Sequence, residues 1–464
     1  MGASTRPSLL AVLCIVLGSS GSMLAQDPID FGPEPEAEAA PAPAPEGWQL
    51  DWGLEAKAHY RDSEENRFPL RFPFTPEMLP PGEEDGFLTT VDPGSNFEVS
   101  VFTLLLDARL GNAIQAHAKV DFIDLHDRNP TSGDRKVDVD EVWIRFGQEM
   151  EPAREADGFG VYAKIGKFAH FERQDDRHLE SYGLVSTAFN RFEDTGLEVG
   201  FDLGRHLYLK TSVTQGNPLF LRDPNALAGD NGTDVFLRDN PDPELGSGIV
   251  VLYDAEVEDL DVDGDLELGL GLGWRWESDS GLAGGDVLLW RYHRELADTV
   301  ELEGTFYGGD LDLLLGPLNA FPLPITGDEK EETGANFWYY RHGFSFFGQW
   351  VDQEVAGLDR TGIEGELAWR FDLPVRFAIA GRQVFPFIAP AVRYSMLDPD
   401  FDGGDDRFPA PSFRWEWEKI DYGVRLGIVS GIDLTLEYAD NTFTLGSGEK
   451  ASNDEFLTTL HWRL

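Results

Sequence analysis

Alternating apolar and polar residues recur along most of this chain, and they predict β-strands rather than helices. In the segment 48–60, every even position is apolar and every odd position is polar or glycine. The same period of two returns in 197–203, 266–276, 420–428 and 432–438. Because side chains of a strand point alternately to opposite faces, each segment predicts a strand with one apolar face.

Strands of this kind fit either an antiparallel sandwich with a dry core or a barrel in lipid. The segments run about nine to thirteen residues, which crosses a bilayer at a tilt, whereas sandwich strands usually run five or six. Their polar face is charged and rich in glycine, as a water-filled lumen would be. Aromatic residues collect at the segment ends, as in interfacial girdles: Trp48, Tyr60, Trp274, Trp276, Tyr438 and Trp462. We therefore predict an all-β fold, a transmembrane antiparallel β-barrel.

The connections between the segments predict the orientation of this barrel. Short connections at 110–112, 204–205 and 430–431 alternate with long ones. The long ones span residues 61–96, 125–136, 169–193, 216–245, 399–413 and 444–454. Because outer-membrane barrels have short periplasmic turns and long outer loops, a first strand that starts from the periplasm places every long connection outside. Counting from both ends predicts about 16 strands; the register between about 278 and 345 also permits 18.

The N-terminal residues predict export and then a spacer. Arg6 precedes an apolar run over 9–17 that is followed by small residues, the order of a secretory signal peptide. We predict a signal peptide over 1–25, with cleavage after Ser22 as the alternative. Residues 26–47 are rich in proline, alanine and glutamate and predict an extended periplasmic linker. No second linker follows, so residues 48–464 are predicted to form one barrel.

Composition excludes several classes of protein. The chain has 464 residues and a formal net charge of -47, which leaves no excess of cations to neutralise nucleic-acid phosphates. Beyond the N-terminus no apolar stretch is long enough for a membrane-spanning helix. The one cysteine, Cys14, lies in the predicted signal peptide, so the mature chain would have no disulfide, thiol nucleophile or cysteine metal ligand.

The predicted inward face carries candidate pore-lining charges. On our register, inward acids slightly outnumber inward bases, which favours cations over phosphate in a narrow channel. Two groups of bases fall on neighbouring strands: Lys119, Arg145 and Lys164, and then Arg370, Arg393 and Arg425. One or both groups are predicted to line the constriction.

The third outer loop is the candidate partner of these bases. It holds a dense set of opposite charges: Glu172, Arg173, Asp175, Asp176, Arg177 and Glu180. An inward fold of this loop would place its acids opposite the bases of the wall. The alternative is a solvated loop whose surface ion pairs contribute little; the sequence leaves both open.

Motifs of enzymes and metal proteins are weak in this chain. Nine histidines are scattered without zinc-ligand spacing, and neither a nucleophile elbow nor a phosphate-binding loop occurs. His178 and Ser181 share one loop, but their spacing is unremarkable for catalysis. We predict no enzyme activity and assign no metal ligands and no cofactor-binding residues.

Three stretches resemble a known family. They are Lys119-Val-Asp-Phe with Asp140-Glu-Val-Trp-Ile-Arg-Phe-Gly, Ala163-Lys-Ile-Gly-Lys-Phe, and Asp433-Leu-Thr-Leu-Glu-Tyr. With the signal peptide and the strands, the chain resembles a bacterial outer-membrane porin, and more narrowly the phosphate-selective porins O and P. The resemblance implies a homotrimer in outer-membrane lipid that passes small solutes down their gradients without a cofactor.

The sequence thus predicts an outer-membrane porin for passive diffusion of small hydrophilic solutes or ions. The first alternative is a structural or adhesive outer-membrane barrel with a blocked lumen. The second is a soluble secreted β-sandwich that serves as a binding module.

Overall fold

The computed structural model describes twenty stretches of the chain. They are residues 47–64, 67–70, 86–89, 94–111, 113–123, 137–147, 158–173, 177–181, 183–189, 193–216, 219–222, 249–253, 266–296, 303–306, 309–310, 327–375, 377–379, 381–400, 415–445 and 448–464. The predicted signal peptide and all but Gly47 of the predicted linker lie outside them. Among the described residues, no helix is both long and apolar enough to cross a membrane.

Sixteen strands within the described residues form one barrel. They are β1 (Trp48–Ser63), β2 (Gly94–Leu110), β3 (Ile114–Ile123), β4 (Val137–Gly147), β5 (Phe159–Ala169), β6 (Glu193–Leu203), β7 (Leu207–Thr214), β8 (Glu267–Glu277), β9 (Ala283–Glu295), β10 (Glu329–Arg341), β11 (Phe344–Val355), β12 (Leu358–Trp369), β13 (Phe387–Asp400), β14 (Glu416–Val429), β15 (Ile432–Thr444) and β16 (Glu455–Arg463). The prediction of about sixteen strands is confirmed.

Each strand pairs antiparallel with its neighbours in sequence, and β16 closes the barrel on β1. The closing register runs from Glu55 opposite Arg463 to Ser63 opposite Glu455. Because closure pairs the first strand with the last, the barrel has no open edge in contact with lipid.

Shorter elements accompany the barrel. Phe371–Asp372 and Lys450–Ser452 extend the main sheet; Arg67–Leu70 pairs with Gly86–Thr89; Ala378–Ile379 pairs with Arg382–Gln383; and Leu219–Arg222, Ile249–Tyr253, Glu303–Phe306 and Gly309–Asp310 form a small separate sheet. One helix, α1 (Leu184–Ala188), lies in the connection between β5 and β6.

The two faces of the barrel differ as the period of two predicts. Large apolar side chains on the outer face are exposed, among them Trp52 at 66% and Leu270 at 54%. Charged and polar side chains such as Lys57 and Glu198 point to the interior. An apolar exterior around a polar interior is the pattern of a transmembrane barrel.

The glycines of the inner face support aromatic packing as well as a polar interior. The Tyr208 ring lies against Gly273 of the neighbouring strand β8, where an added Cβ would stand 1.9 Å from the ring. The Tyr208 ring therefore lies over a position of the wall that carries no side chain. Alternation alone identified the glycines as inward but did not identify their partners.

Long and short connections alternate between the two ends of the barrel, here called the loop end and the turn end. Three connections depart from the predicted alternation. At the loop end, Ala356 and Gly357 alone join β11 to β12, with φ of 52° and 82°, a backbone that suits a two-residue hairpin. At the turn end, the connections 148–158 and 370–386 are long, and the second contains the small hairpin of Ala378–Ile379 and Arg382–Gln383.

Candidate functional site

The connection between β5 and β6, residues 170–192, enters the barrel; we call it the inward loop. Its described residues contact inward side chains of β9 to β16 and of β1, which lie across the barrel from the two strands that the loop joins. This loop is the candidate functional site because it occupies part of the interior and contacts the charged wall.

The start of the inward loop is held by aromatic rings and carboxylates. The rings of His170 and Phe171 stack on Tyr292 of β9, with centroid distances of 4.7 and 5.2 Å. The buried carboxylate of Glu172 accepts a hydrogen bond from the hydroxyl of the same tyrosine, and its backbone oxygen accepts a 2.6 Å hydrogen bond from Asn336.

The buried imidazole of His170 is surrounded by three carboxylates. Its Nε2 lies 3.7 Å from carboxylate oxygens of both Asp194 and Glu267, and its Nδ1 lies 3.8 Å from Glu172. Burial lowers the pKa of His170, but the three carboxylates outweigh it, so that the pKa is raised above its usual value. The three carboxylates favour the protonated form of His170, whose charge attracts Asp194 of β6 and Glu267 of β8.

The middle of the inward loop is bound to acids of β12. The backbone amide of His178 donates to Oε1 of Glu366 at 2.7 Å, and Nδ1 of its ring lies 3.0 Å from the same oxygen. Arg177 forms an ion pair with Glu364 at 3.5 Å, and the amide of Val185 donates to that carboxylate at 3.2 Å. One oxygen of each wall acid, Oε1 of Glu366 and Oε2 of Glu364, thereby accepts hydrogen bonds from the loop.

The tip of the loop reaches the first and last strands. Lys57 of β1 donates to Glu180 at 2.9 Å, and Nδ1 of His461 on β16 lies 3.6 Å from the same carboxylate. Burial raises the pKa of Glu180, but the nearby imidazole of His461 and the charges of Lys57 and Arg425 outweigh it and hold the pKa well below its usual range. The tip is an ionised carboxylate fixed between bases.

The C-terminal part of the loop covers the wall with apolar side chains. Leu184, Val185, Ala188 and Phe189 are each at most 1% exposed, and helix α1 packs against β11, β12 and β13. Burial of these groups stabilises the inward position by the hydrophobic effect, at about 1.5–3 kcal/mol for each large side chain.

The six predicted pore-lining bases point inward, and most of them meet acids on their own or neighbouring strands. Lys119 contacts Asp140, Lys164 lies 3.2 Å from Glu198, Arg370 lies 3.2 Å from Asp372, Arg425 lies 2.6 Å from Asp433, Arg393 lies 2.8 Å from Asp421, and Arg145 donates to Gln115 at 2.6 Å. Register pairs Arg145 directly with Lys164, so the structure brings these two bases together.

Arg393 differs from the other five because it is fully covered. It is 0% exposed, and its Nη2 donates to the backbone oxygen of Ser181 at 2.6 Å. It fixes the inward loop to β13 and has no contact with an open lumen. The inward direction of Arg393 follows from alternation, whereas its covering follows only from the position of the loop.

The predicted residues of the inward loop differ in their surroundings. Glu172 is buried against β9, Arg173 contacts Glu193, and Arg177 contacts Glu364. Asp175 and Asp176 lie outside the described residues. The sequence hypothesis placed acids of the loop opposite bases of the wall. Glu180 at the tip meets Lys57 in this way, whereas bases and amides of the middle of the loop meet acids of the wall.

The contacts of the middle of the loop with wall acids have a physical cause. Four inward carboxylates, Glu364, Glu366, Asp421 and Glu437, lie on adjacent strands β12 to β15. A backbone amide costs nothing in side-chain entropy to position and satisfies a buried carboxylate, so a loop packed on this wall binds it with N–H groups. Ser181 does so at 2.9 Å to Glu437.

Lys57, His461 and Ser345 were missed as loop partners. Alternation identified Lys57 as inward, but nothing local links it to a segment more than a hundred residues away. Nε2 of His178 lies 3.4 Å from the hydroxyl of Ser345, while its Nδ1 contacts Glu366. This order resembles that of a nucleophile, base and acid, but Ser345 is only 4% exposed, which leaves no room for a substrate carbonyl at its hydroxyl.

Two groups among the described residues bring possible metal ligands within 4.8 Å of one another: His293, Glu329 and Glu331 on the outer face, and Asp140, Glu141 and Glu193 inside. Cations of the chain already contact members of both groups. Arg291 contacts Glu331, Lys119 contacts Asp140, and Arg173 contacts Glu193.

Comparisons with known proteins find solved structures that are similar to this chain but no protein family that matches it. No protein-family model matches the chain, and no curated protein does. Solved structures that match include OprB of Pseudomonas putida, with a TM-score of 0.48 and 11% identity. That match covers 89% of this chain and 94% of that chain. The outer-membrane channel DcaP of Acinetobacter baumannii matches with a TM-score of 0.47 and 10% identity, and the match covers 90% of this chain and 98% of that chain. An anion-selective porin from Comamonas acidovorans matches with a TM-score of 0.43 and 9% identity, and the match covers 90% of this chain and 100% of that chain.

Proposed function

We propose that this protein is an outer-membrane channel for passive diffusion of small hydrophilic solutes or ions. The observation that carries the proposal is a closed sixteen-strand barrel with an apolar exterior and a charged interior, narrowed by a loop that is bound to the far wall. A polar interior in a membrane barrel serves to hold water, and an inward loop determines how wide the water path is.

The same proposal assigns the side chains that line the water path through the barrel. Lys119, Arg145 and Lys164 are partly exposed inside the barrel and are proposed to contact the permeating solute. Arg370 and Arg425 lie near the turn end and are proposed to line that mouth. The neighbouring acids keep the path electrically mixed, so phosphate selectivity is not part of the proposal.

Single-channel conductance of the purified protein in planar bilayers tests the function. We expect stepwise conductance, and the reversal potential under a salt gradient then gives the preferred sign of charge. Absence of conductance from a folded barrel that shifts on heating in SDS gels would contradict the channel. The mass of the detergent-solubilised protein tests the proposed homotrimer separately.

A barrel with a blocked lumen is the second candidate, and one observation favours it. Inward side chains on β6 to β16 are largely buried, including charged groups such as Glu267, Lys330 and Arg360. A structural or adhesive barrel would present its outer loops to a partner and would conduct no ions, so the same bilayer recording separates the two candidates.

A further inference from the structure

Three side chains that can ligate a metal meet on the outer face of the barrel, at the loop end of β9 and β10. His293 is directly opposite Glu331 in the antiparallel register, and Glu329 lies on the same face of β10. One ligand atom from each of the three side chains lies within 4.8 Å of the other two. The sequence shows no metal-ligand spacing here, because the histidine and the glutamates belong to different strands and meet only by strand pairing.

The three residues lie beyond the apolar band that faces lipid. The outward side chains of this part of β9 are Leu289, Arg291 and His293, and Leu289 is 56% exposed. His293 is roughly 13 Å farther along the strand than Leu289, at about 3.3 Å per residue. The outward residues change from apolar to charged over this distance, so the three ligands border water rather than hydrocarbon.

One nitrogen of His293 is covered but has no hydrogen bond. Nδ1 is shielded from solvent and has no hydrogen-bond partner within the described part of the chain. It lies 3.7 Å from Oε1 of Glu331, which is too long for a hydrogen bond. Two ligand atoms of a tetrahedral zinc ion, with bonds of about 2.0–2.1 Å, are roughly 3.4 Å apart. An ion between nitrogen and oxygen would therefore satisfy both atoms after a small movement of the side chains.

We propose that His293, Glu329 and Glu331 bind a divalent transition-metal ion such as Zn²⁺. An imidazole with two carboxylates is a mixed nitrogen and oxygen set, which suits Zn²⁺, Ni²⁺ or Cu²⁺, whereas Mg²⁺ and Ca²⁺ prefer oxygen ligands. Three protein ligands leave a coordination position for water. The ion joins β9 to β10 where the long connection between these strands begins and ends.

Arg291 competes with the ion for one of the ligands. Its guanidinium contacts Oε1 of Glu331, the same oxygen that lies 3.7 Å from His293. The arginine side chain is 56% exposed and the glutamate side chain 41% exposed, and an ion pair this open to solvent contributes little to stability. The metal ion can therefore displace the guanidinium, and removal of the arginine should strengthen metal binding.

Calorimetric titration of the full-length mature protein with zinc chloride tests the site. The protein is purified in detergent without a histidine tag and is treated with a chelator beforehand. We expect one saturable site in the wild type, and a loss of affinity of roughly tenfold or more in His293→Ala, Glu329→Gln and Glu331→Gln. Arg291→Gln should raise the affinity roughly two- to fivefold, because it frees Glu331 and removes a repelling charge.

Two control variants remove the same chemical groups elsewhere. His206→Ala removes an exposed histidine at the turn end, and Glu416→Gln removes an exposed carboxylate of β14. Zinc affinity should stay unchanged in both. Heat-modifiable migration in SDS gels establishes that each variant is folded, and His293→Gln replaces His293→Ala if the alanine variant fails this check.

Electron paramagnetic resonance with one equivalent of Cu²⁺ identifies the nitrogen ligand. We expect nitrogen hyperfine splitting in the wild type and in His206→Ala, and its loss in the His293 variant. Equal zinc affinity in the wild type and the His293 variant would overturn the site. Weaker binding in Arg291→Gln, or no saturable zinc binding by the wild type, would overturn it as well.

Discussion

Lys57 Nζ donates a hydrogen bond to Glu180 Oε2 at 2.9 Å and so connects the first strand to the tip of the inward loop. The lysine side chain is 29% exposed and the glutamate side chain 8% exposed. The two residues are 123 positions apart in the chain. Their contact fixes the tip of the inward loop to the strand that closes the barrel on β16.

Removal of the lysine charge should loosen the loop tip without unfolding the barrel. For Lys57→Met we expect a loss of about 1 kcal/mol in the interaction that holds the tip, because a partly exposed ion pair contributes little. Single-channel records of the Lys57→Met protein should show more frequent current fluctuations than records of the wild type.

Arg291→Gln is the matched control for this change. It also removes a base from an ion pair, with Glu331, but on the outer face of the barrel. Equal current noise in both variants would contradict a specific role of Lys57 at the loop tip.

The pH dependence of the tip follows from Glu180. Its pKa is held below the usual range, while that of an unfolded glutamate is about 4.3. Because the folded pKa is the lower one, the stabilisation by ionised Glu180 is fully present above the unfolded value. It is lost as the pH falls toward the folded value.

Urea unfolding of the wild type and of Glu180→Gln measures this dependence. The difference in free energy of unfolding should be constant between pH 8 and about pH 5 and should shrink below about pH 4. A difference that instead grows on acidification would show that Glu180 does not hold the tip as an ionised carboxylate.

Arg393 should be the most costly of the inward bases to replace. It is fully buried with Asp421 and Glu366 at 2.8 and 3.7 Å, so Arg393→Met leaves buried carboxylates without their cation. Breaking a buried pair in this way costs about 3–5 kcal/mol. The urea midpoint of the folded barrel, followed by heat-modifiable migration in SDS gels, measures the loss.

Ser181→Ala provides the comparison for Arg393. It removes only the hydroxyl acceptor and keeps the backbone oxygen that the guanidinium also contacts at 2.6 Å. We expect a loss of about 1 kcal/mol. Similar losses in the two variants would refute the central role of the buried arginine.

Lys164 gives a prediction on ion selectivity. It is partly exposed, lies 3.2 Å from Glu198, and pairs in register with Arg145. Lys164→Gln removes one positive charge from the proposed path, so the reversal potential under a salt gradient should move toward cation selectivity. An unchanged reversal potential would place Lys164 outside the path; Arg291→Gln again serves as the control.

Alternation of apolar and polar residues determined most strands and the two faces of the barrel, and it left the number of strands between 16 and 18. Leu268, Leu270 and Leu272 have to face lipid because a strand repeats every two residues, and this rule needs no knowledge of distant parts of the chain. The same rule gave the inward direction of all six candidate bases.

Only the tertiary structure decided which inward residues border open space. Arg393 and Lys119 have the same pattern in sequence, yet one is fully covered and the other is partly exposed. The difference arises from the inward loop, whose contacts with Glu366, Glu437 and Lys57 join residues far apart in the chain. Such contacts depend on barrel closure, which brings β1 and β16 together, and a local period cannot encode them.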